Sequence, residues 1–174
     1  MLLVSNNIVE LGMEYPKGAI IRVNTAWVNT VPKLEKVLTE LKNKSVYLDY
    51  PIGRTKYPRP NMSFDELINV VDKHSNIKYF AWSNAENYTL LKEIREVLPN
   101  RVMLVPKIET LIGVLHLEDI IEACKTKLIM IDKEDLATSA KTDEIYIQFL
   151  EKARSIAKKL KIECIELKGV VFSD

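Results

Sequence analysis

The sequence predicts an α/β protein built on a parallel sheet, a (βα) TIM-type barrel in shortened or incomplete form. Three observations carry this. Short apolar runs alternate with amphipathic helices along the chain, about six βα steps in all. The runs are apolar without alternation, as in parallel strands buried on both faces. The stretch Val105 to Ala137 reads as strand, helix, strand, with charged residues after each strand. In a parallel α/β protein that edge is where chemistry is done. Length argues for trimming, since such a barrel takes about 250 residues and seldom fewer than about 200. This chain has 174, which is one domain by length, and most of it is βα pattern.

The elements follow in order. Residues 1 to 18 hold at most a strand and no helix. Ala19 to Val23 is a strand, and Val31 to Leu41 a helix with Pro32 in its first turn. Ser45 to Asp49 is a strand followed by a loop rich in Pro and Arg. Ser63, with Glu66 three residues on, forms a capping box that opens the helix Phe64 to His74. Ile77 to Trp82 is a strand, and Asn87 to Leu98 a helix stopped by Pro99. Arg101 to Val105 is a strand, Leu111 to Cys124 a helix and Lys127 to Ile131 a strand. Asp143 to Leu160 is a long amphipathic helix with basic residues near its end, as the helix dipole favours. Glu163 to Leu167 and Val170 to Phe172 are further strands.

Composition narrows the function classes. The chain is 47% hydrophobic and 28% charged, hence globular and not disordered. A net charge of +1 gives no sign of a nucleic-acid or acidic-membrane partner. No apolar run approaches the ~20 residues of a membrane span. The N-terminal MLLVSNNIVE lacks a signal-peptide pattern, so the expected location is cytoplasmic. Cys124 and Cys164 are expected to be reduced core thiols. Open sheet edges are expected to be covered by another subunit, in a homo-oligomer or a complex.

A family resemblance begins at Lys107. Lys107-Ile108-Glu109-Thr110, then Gly113-Val114, Leu117-Glu118-Asp119-Ile120-Ile121 and Lys133-Glu134-Asp135-Leu136 are similar in order and spacing to pyruvate kinases. Those enzymes carry K-I-E-N, G-V, N-L-D-E-I-L and R-G-D-L there. The citrate lyase β-subunit and the HpcH/HpaI aldolases have similar segments. The I-E-T ending and the small residues Ala137 to Ala140 sit at least as well with the aldolases. Ile21-Arg22-Val23-Asn24, Tyr47-Leu48-Asp49 and Asn84-Ala85-Glu86-Asn87 resemble further segments of this phosphoenolpyruvate/pyruvate barrel superfamily. The lid domain that pyruvate kinase inserts after its L-D strand is reduced here to Tyr50–Met62, which disfavours phosphoryl transfer to ADP.

The resemblance implies a metal-dependent enzyme acting on pyruvate, phosphoenolpyruvate or a related oxoacid through a metal-held enolate, of C–C lyase or aldolase type. Phosphoryl transfer of the pyruvate kinase kind is one alternative, and a degenerate, non-catalytic barrel serving binding or assembly is another. The implied substrate is a small oxoacid or phosphorylated carboxylate. Glu109 and Asp135 are the implied ligands of Mg²⁺ or Mn²⁺, which take hard oxygen donors. Lys107 beside them would steady developing negative charge, or only ion-pair with Glu109 or Asp135. Arg22 would clamp a phosphate or carboxylate, or form a structural salt bridge. Asn24 would orient it, or be a turn residue. Asp49 is a weaker candidate for the same substrate site. Arg54, Lys56 and Arg59 are expected to be a solvated loop, His74 and His116 structural, and Trp27 and Trp82 packed in the core or at its rim.

Overall fold

A computed structural model describes residues 2–6, 10, 12, 14, 16–53 and 57–167. The chain divides into two compact units, one of residues 1–82 with 96–104, the other of residues 83–95 with 105–174. No helix among the described residues is long and apolar enough to cross a membrane.

The first unit holds β1 (Leu3–Ser5), β2 (Ile20–Asn24), β3 (Val46–Tyr50) and β4 (Ile77–Trp82), with helices α1 (Val31–Glu40) and α2 (Phe64–Lys73). The strands pair in sequence order and every pairing is parallel. All five residues of β3 are buried, which explains why the run Val46–Tyr50 shows no apolar–polar alternation. α1 buries Leu34 and Leu38, one turn apart on one face. α2 buries Leu67, Val70 and Val71. Each such aliphatic side chain contributes about 1.5–3 kcal/mol when fully buried. Tyr50, Phe64, Phe80 and Trp82 form an aromatic cluster, with three edge-to-face pairs and Tyr50 tilted on Phe80.

Helix ends in this unit are closed by side chains. Ser63 and Glu66 make the expected capping box. Asn76 donates to the Leu38 and Leu41 carbonyls at the end of α1, at 3.1 and 3.0 Å. Arg101 does the same for Val71 and Asp72 at the end of α2.

The second unit holds α3 (Tyr88–Val97), whose last two residues fall outside it, and β5 (Met103–Ile108), which enters it at Val105. α4 (Leu111–Leu115), α5 (Leu117–Cys124), β6 (Leu128–Asp132), α6 (Lys133–Ala140), α7 (Asp143–Lys159) and β7 (Glu163–Leu167) follow. β6 pairs with β5 and β7, both parallel. Lys125, Lys141 and Lys161 end α5, α6 and α7 in the left-handed region, where glycine is usual. With only 5 Gly in the chain, lysine takes these positions, and its charge complements the helix C-terminus.

Three expectations need correcting. The helix read as Leu111 to Cys124 is two helices, because His116 leaves helical geometry at φ −97°, ψ 14°. His116 stacks edge-on against Tyr88 at that break. The strand read as ending at Val105 runs to Ile108, so Lys107 is a strand residue. Residues 133–140, expected to be charged residues after the strand and then a run of small residues, form α6. The stretch Val170 to Phe172 lies outside the described residues, as do several of residues 1 to 18. Both cysteines are free. Burial pushes the Cys124 thiol up to about 12 and the Cys164 thiol up to about 11, so neither is a poised nucleophile.

Candidate metal centre

Strand periodicity puts residues two apart on one face. In the first unit this places Arg22 and Asn24 together on β2, and parallel register sets Asn24 beside Asp49 on β3. Arg22 Nε donates to Asp49 Oδ2 at 2.9 Å, and Nη2 donates to the same oxygen. Asp49 is fully buried, while the Arg22 side chain keeps 24% exposure. Asn24 reaches Asp49 only at 3.5 Å. Its Oδ1 accepts from the Ala26 N–H at 2.9 Å, the Asx turn that an Asn after a strand commonly makes. Thr25 fixes the backbone of Asp49 from the same side, through its N–H and hydroxyl. The three residues implied for substrate binding therefore meet, held as an ion pair with a turn beside it.

The second unit builds its site at the C-terminal ends of β5 and β6. Lys107 and Glu109 share a face, again two residues apart. Their side chains are 5% exposed each, with Lys107 Nζ 2.7 Å from Glu109 Oε1. Lys107 also donates to Ser83 Oγ at 3.0 Å. Glu109 Oε2 accepts from the Asn84 N–H at 2.6 Å. Register pairs Lys107 with Met130 and Ile108 with Ile131, so the next step along sets Glu109 level with Asp132. Asp132 ends β6 and caps α6, accepting from the Asp135 N–H at 3.4 Å. Asp135 stands exposed in the first turn of α6.

Carboxylate oxygens of Glu109, Asp132 and Asp135 lie within 4.8 Å of one another. On one octahedral Mg²⁺ neighbouring oxygens are about 3 Å apart and opposite ones about 4 Å, so these side chains would draw together by up to about 2 Å to share one ion. The donor chemistry fits too. All three offer hard carboxylate oxygens. Asp132 had no role in the sequence reading. It could have been found from its spacing, an acidic residue three before Asp135, which is the N-cap pattern.

Other residues fall as follows. Thr110 caps α4, accepting from the Gly113 N–H and donating to Glu86 at 2.6 Å. Lys133 binds Glu166 at 2.8 Å, and Arg154 grips the same carboxylate in a two-pronged fork at 2.6 and 2.7 Å. That fork above all, with Lys133, holds the Glu166 carboxyl down at about 2. His74 ends α2 with its N–H on Val70 O. Trp82 is buried as expected, but Trp27 is 63% exposed, because it follows the strand in the Asn24 turn and packs on no core face. Arg59 lies over the exposed Tyr57 ring, 4.7 Å from its centre. Arg54 and Lys56 lie outside the described residues.

No protein-family model matches the chain, and no curated protein matches it in sequence. Solved structures do. Citrate synthase SbnG aligns with a TM-score of 0.66 at 12% identity, over 94% of this chain and 71% of its own. The citrate lyase beta subunit from Mycobacterium tuberculosis aligns at 0.62 and 11% identity, over 95% and 76%. CitE from Mycobacterium tuberculosis in complex with magnesium, acetoacetate and coenzyme A aligns at 0.61 and 11%, over 95% and 63%. At such identities the likeness is one of fold. The chain has the α/β fold of these proteins.

Proposed function

We propose that the chain is a divalent-metal-dependent C–C lyase or aldolase acting on pyruvate or a related small oxoacid. One observation carries this reading. Three carboxylates, from Glu109, Asp132 and Asp135, converge within 4.8 Å beside the buried ammonium of Lys107. A fold shared with a magnesium- and acetoacetate-binding CitE supports it.

A Mg²⁺ or Mn²⁺ held there supplies Lewis acidity to a ligand carbonyl oxygen. The chain's own groups do the rest. Glu109, Asp132 and Asp135 hold the cation. The Lys107 ammonium, almost fully desolvated, offers positive charge where enolate charge develops, and in a dry site such charge acts strongly. Taken by itself, the first unit offers a separate candidate: Arg22 is proposed as a carboxylate-binding group of that unit, since its guanidinium keeps partial exposure while Asp49 pairs with it.

A second reading is favoured by one observation. The Lys107–Glu109 pair is closed at 2.7 Å and 5% exposure, as a purely structural pair in a non-catalytic barrel would be. Calorimetric titration of Mn²⁺, with and without oxalate as an enolate mimic, separates the two. The enzyme reading expects Mn²⁺ to bind and oxalate to tighten it. It also expects Glu109→Gln, Asp132→Asn and Asp135→Asn each to weaken Mn²⁺ about tenfold, roughly 1.4 kcal/mol. Failure of the unchanged protein to bind Mn²⁺ at millimolar concentration sinks the enzyme reading and leaves the structural one.

A further inference from the structure

We infer that Ser139 is a positioning residue of the metal centre: its hydroxyl locks α6 in register with the segment that follows β5, and so holds Asp135 within reach of a cation bound by Glu109 and Asp132. The inference rests on the metal reading and deepens it. Glu109 directly follows β5 and Asp132 ends β6, so strand pairing places both. Asp135 is on no strand. It stands exposed in the first turn of α6, and its distance from Glu109 depends on how that helix lies.

A hydrogen bond one turn further along sets that helix. Ser139 lies four residues after Asp135, on the same helix face. Its Oγ accepts from the Leu111 N–H at 3.2 Å. Leu111 opens α4, and its N–H is one of those that a helix start leaves without an intrahelical partner. Thr110 before it is extended, at φ −137° and ψ 161°. The two spacings match. From Glu109 to Leu111, two extended steps span about 6.6 Å, and from Asp135 to Ser139 one helical turn spans about 6 Å. Asp135 facing Glu109 and Ser139 bonding Leu111 are thus two rungs between one helix face and one extended segment. Leu136 and Ala140 of α6 are buried, but apolar contact is non-directional and leaves a helix able to slide along its axis. A directional hydrogen bond resists that sliding. The segment is itself held by Thr110, whose hydroxyl donates to Glu86 at 2.6 Å. The neighbouring hydroxyl, Thr138, donates to the Glu134 carbonyl within α6, which makes it an internal control.

Calorimetric titration of Mn²⁺ compares the unchanged protein with Ser139→Ala, Asp135→Asn, the double variant and Thr138→Ala. Ser139→Ala should weaken Mn²⁺ about fivefold, the usual net size of one neutral hydrogen bond, while Thr138→Ala stays within about twofold. In the Asp135→Asn background Ser139→Ala should change nothing further, because it acts through that carboxylate. The paramagnetic resonance spectrum of bound Mn²⁺ should change in Ser139→Ala towards that of Asp135→Asn, a signature that a merely stabilising serine would not give. By reciprocity, Mn²⁺ should slow hydrogen exchange at the Leu111 amide of the unchanged protein, a readout that needs no variant. Full Mn²⁺ affinity in Ser139→Ala, an equal loss with and without the Asp135 carboxylate, or Leu111 exchange indifferent to Mn²⁺ overturns the positioning role and leaves the metal reading standing. Failure of the unchanged protein to bind Mn²⁺ removes the metal reading and the inference with it, and is seen before any variant is made.

Discussion

Replacing Lys107 with methionine tests how the ion pair and the metal share Glu109. The Lys107 and Glu109 side chains are each 5% exposed and 2.7 Å apart. Removing one partner of a buried pair costs about 3–5 kcal/mol. The Asn84 N–H still donates to Glu109, which argues for the lower end, about 3 kcal/mol. For a chain of this size each kcal/mol moves Tm by about 2–4 °C, so Lys107→Met should melt about 6–12 °C lower. A divalent cation reverses part of this. It replaces the missing positive charge at Glu109, and it no longer meets the repulsion of a neighbouring ammonium. Mn²⁺ should therefore bind the variant about tenfold more tightly. Under saturating Mn²⁺ the gap in stability should narrow by about 1.4 kcal/mol. Thermal unfolding of both proteins, with and without Mn²⁺, reads both effects. An equal gap in the two conditions would refute the placement of the cation on Glu109, and no gap at all would refute the weight given to the pair.

Two further perturbations probe groups outside that pair. Glu166 is held at about 2, against an ordinary 4.5, by the Arg154 fork and then by Lys133. Because its folded value is depressed, its contribution is full above the unfolded value and is lost as pH falls from about 4.5 towards about 2. Arg154 is 46% exposed, so solvent screening reduces the nominal shift to about 1 kcal/mol. Urea unfolding at about pH 6 and about pH 3 should show that acid loss in the unchanged protein and a smaller one in Glu166→Gln. Asp49→Asn should lower Tm by about 4–8 °C, since it takes a charge from a fully buried partner of Arg22. A melting point within about 1 °C of the unchanged protein would show that the pair has no structural weight.

How much of this was legible in the sequence depends on the kind of signal. The strand Ile77–Trp82 was read to the residue, because its mostly apolar run is bounded by Asn76 and Ser83, and Glu163–Leu167 was read to the residue as well, although it carries two glutamates. The capping box at Ser63 was legible because both partners lie within one turn. Lys107 and Glu109 were singled out by the resemblance of Lys107-Ile108-Glu109 to K-I-E, and not by strand spacing, since the strand was read as ending at Val105 and runs to Ile108. Asp132 was not, because the strand was read as ending at Ile131 and the similarity of Lys133-Glu134-Asp135 to R-G-D put the weight on Asp135. The chain instead turns into α6 at Lys133, with Asp132 as its cap. Ser83 was not legible either. A serine after a strand carries no local pattern, and its partner Lys107 is 24 residues away. The break at His116 was hidden because apolar periodicity continues across it from Val114 to Leu117.

All the groups around the proposed cation come from one short span. Ser83, Asn84, Lys107, Glu109, Asp132 and Asp135 belong to the same compact unit, and their contacts are made inside it. The proposed constellation therefore depends on the packing of one unit, and a substitution that loosens only the other unit should leave its geometry in place.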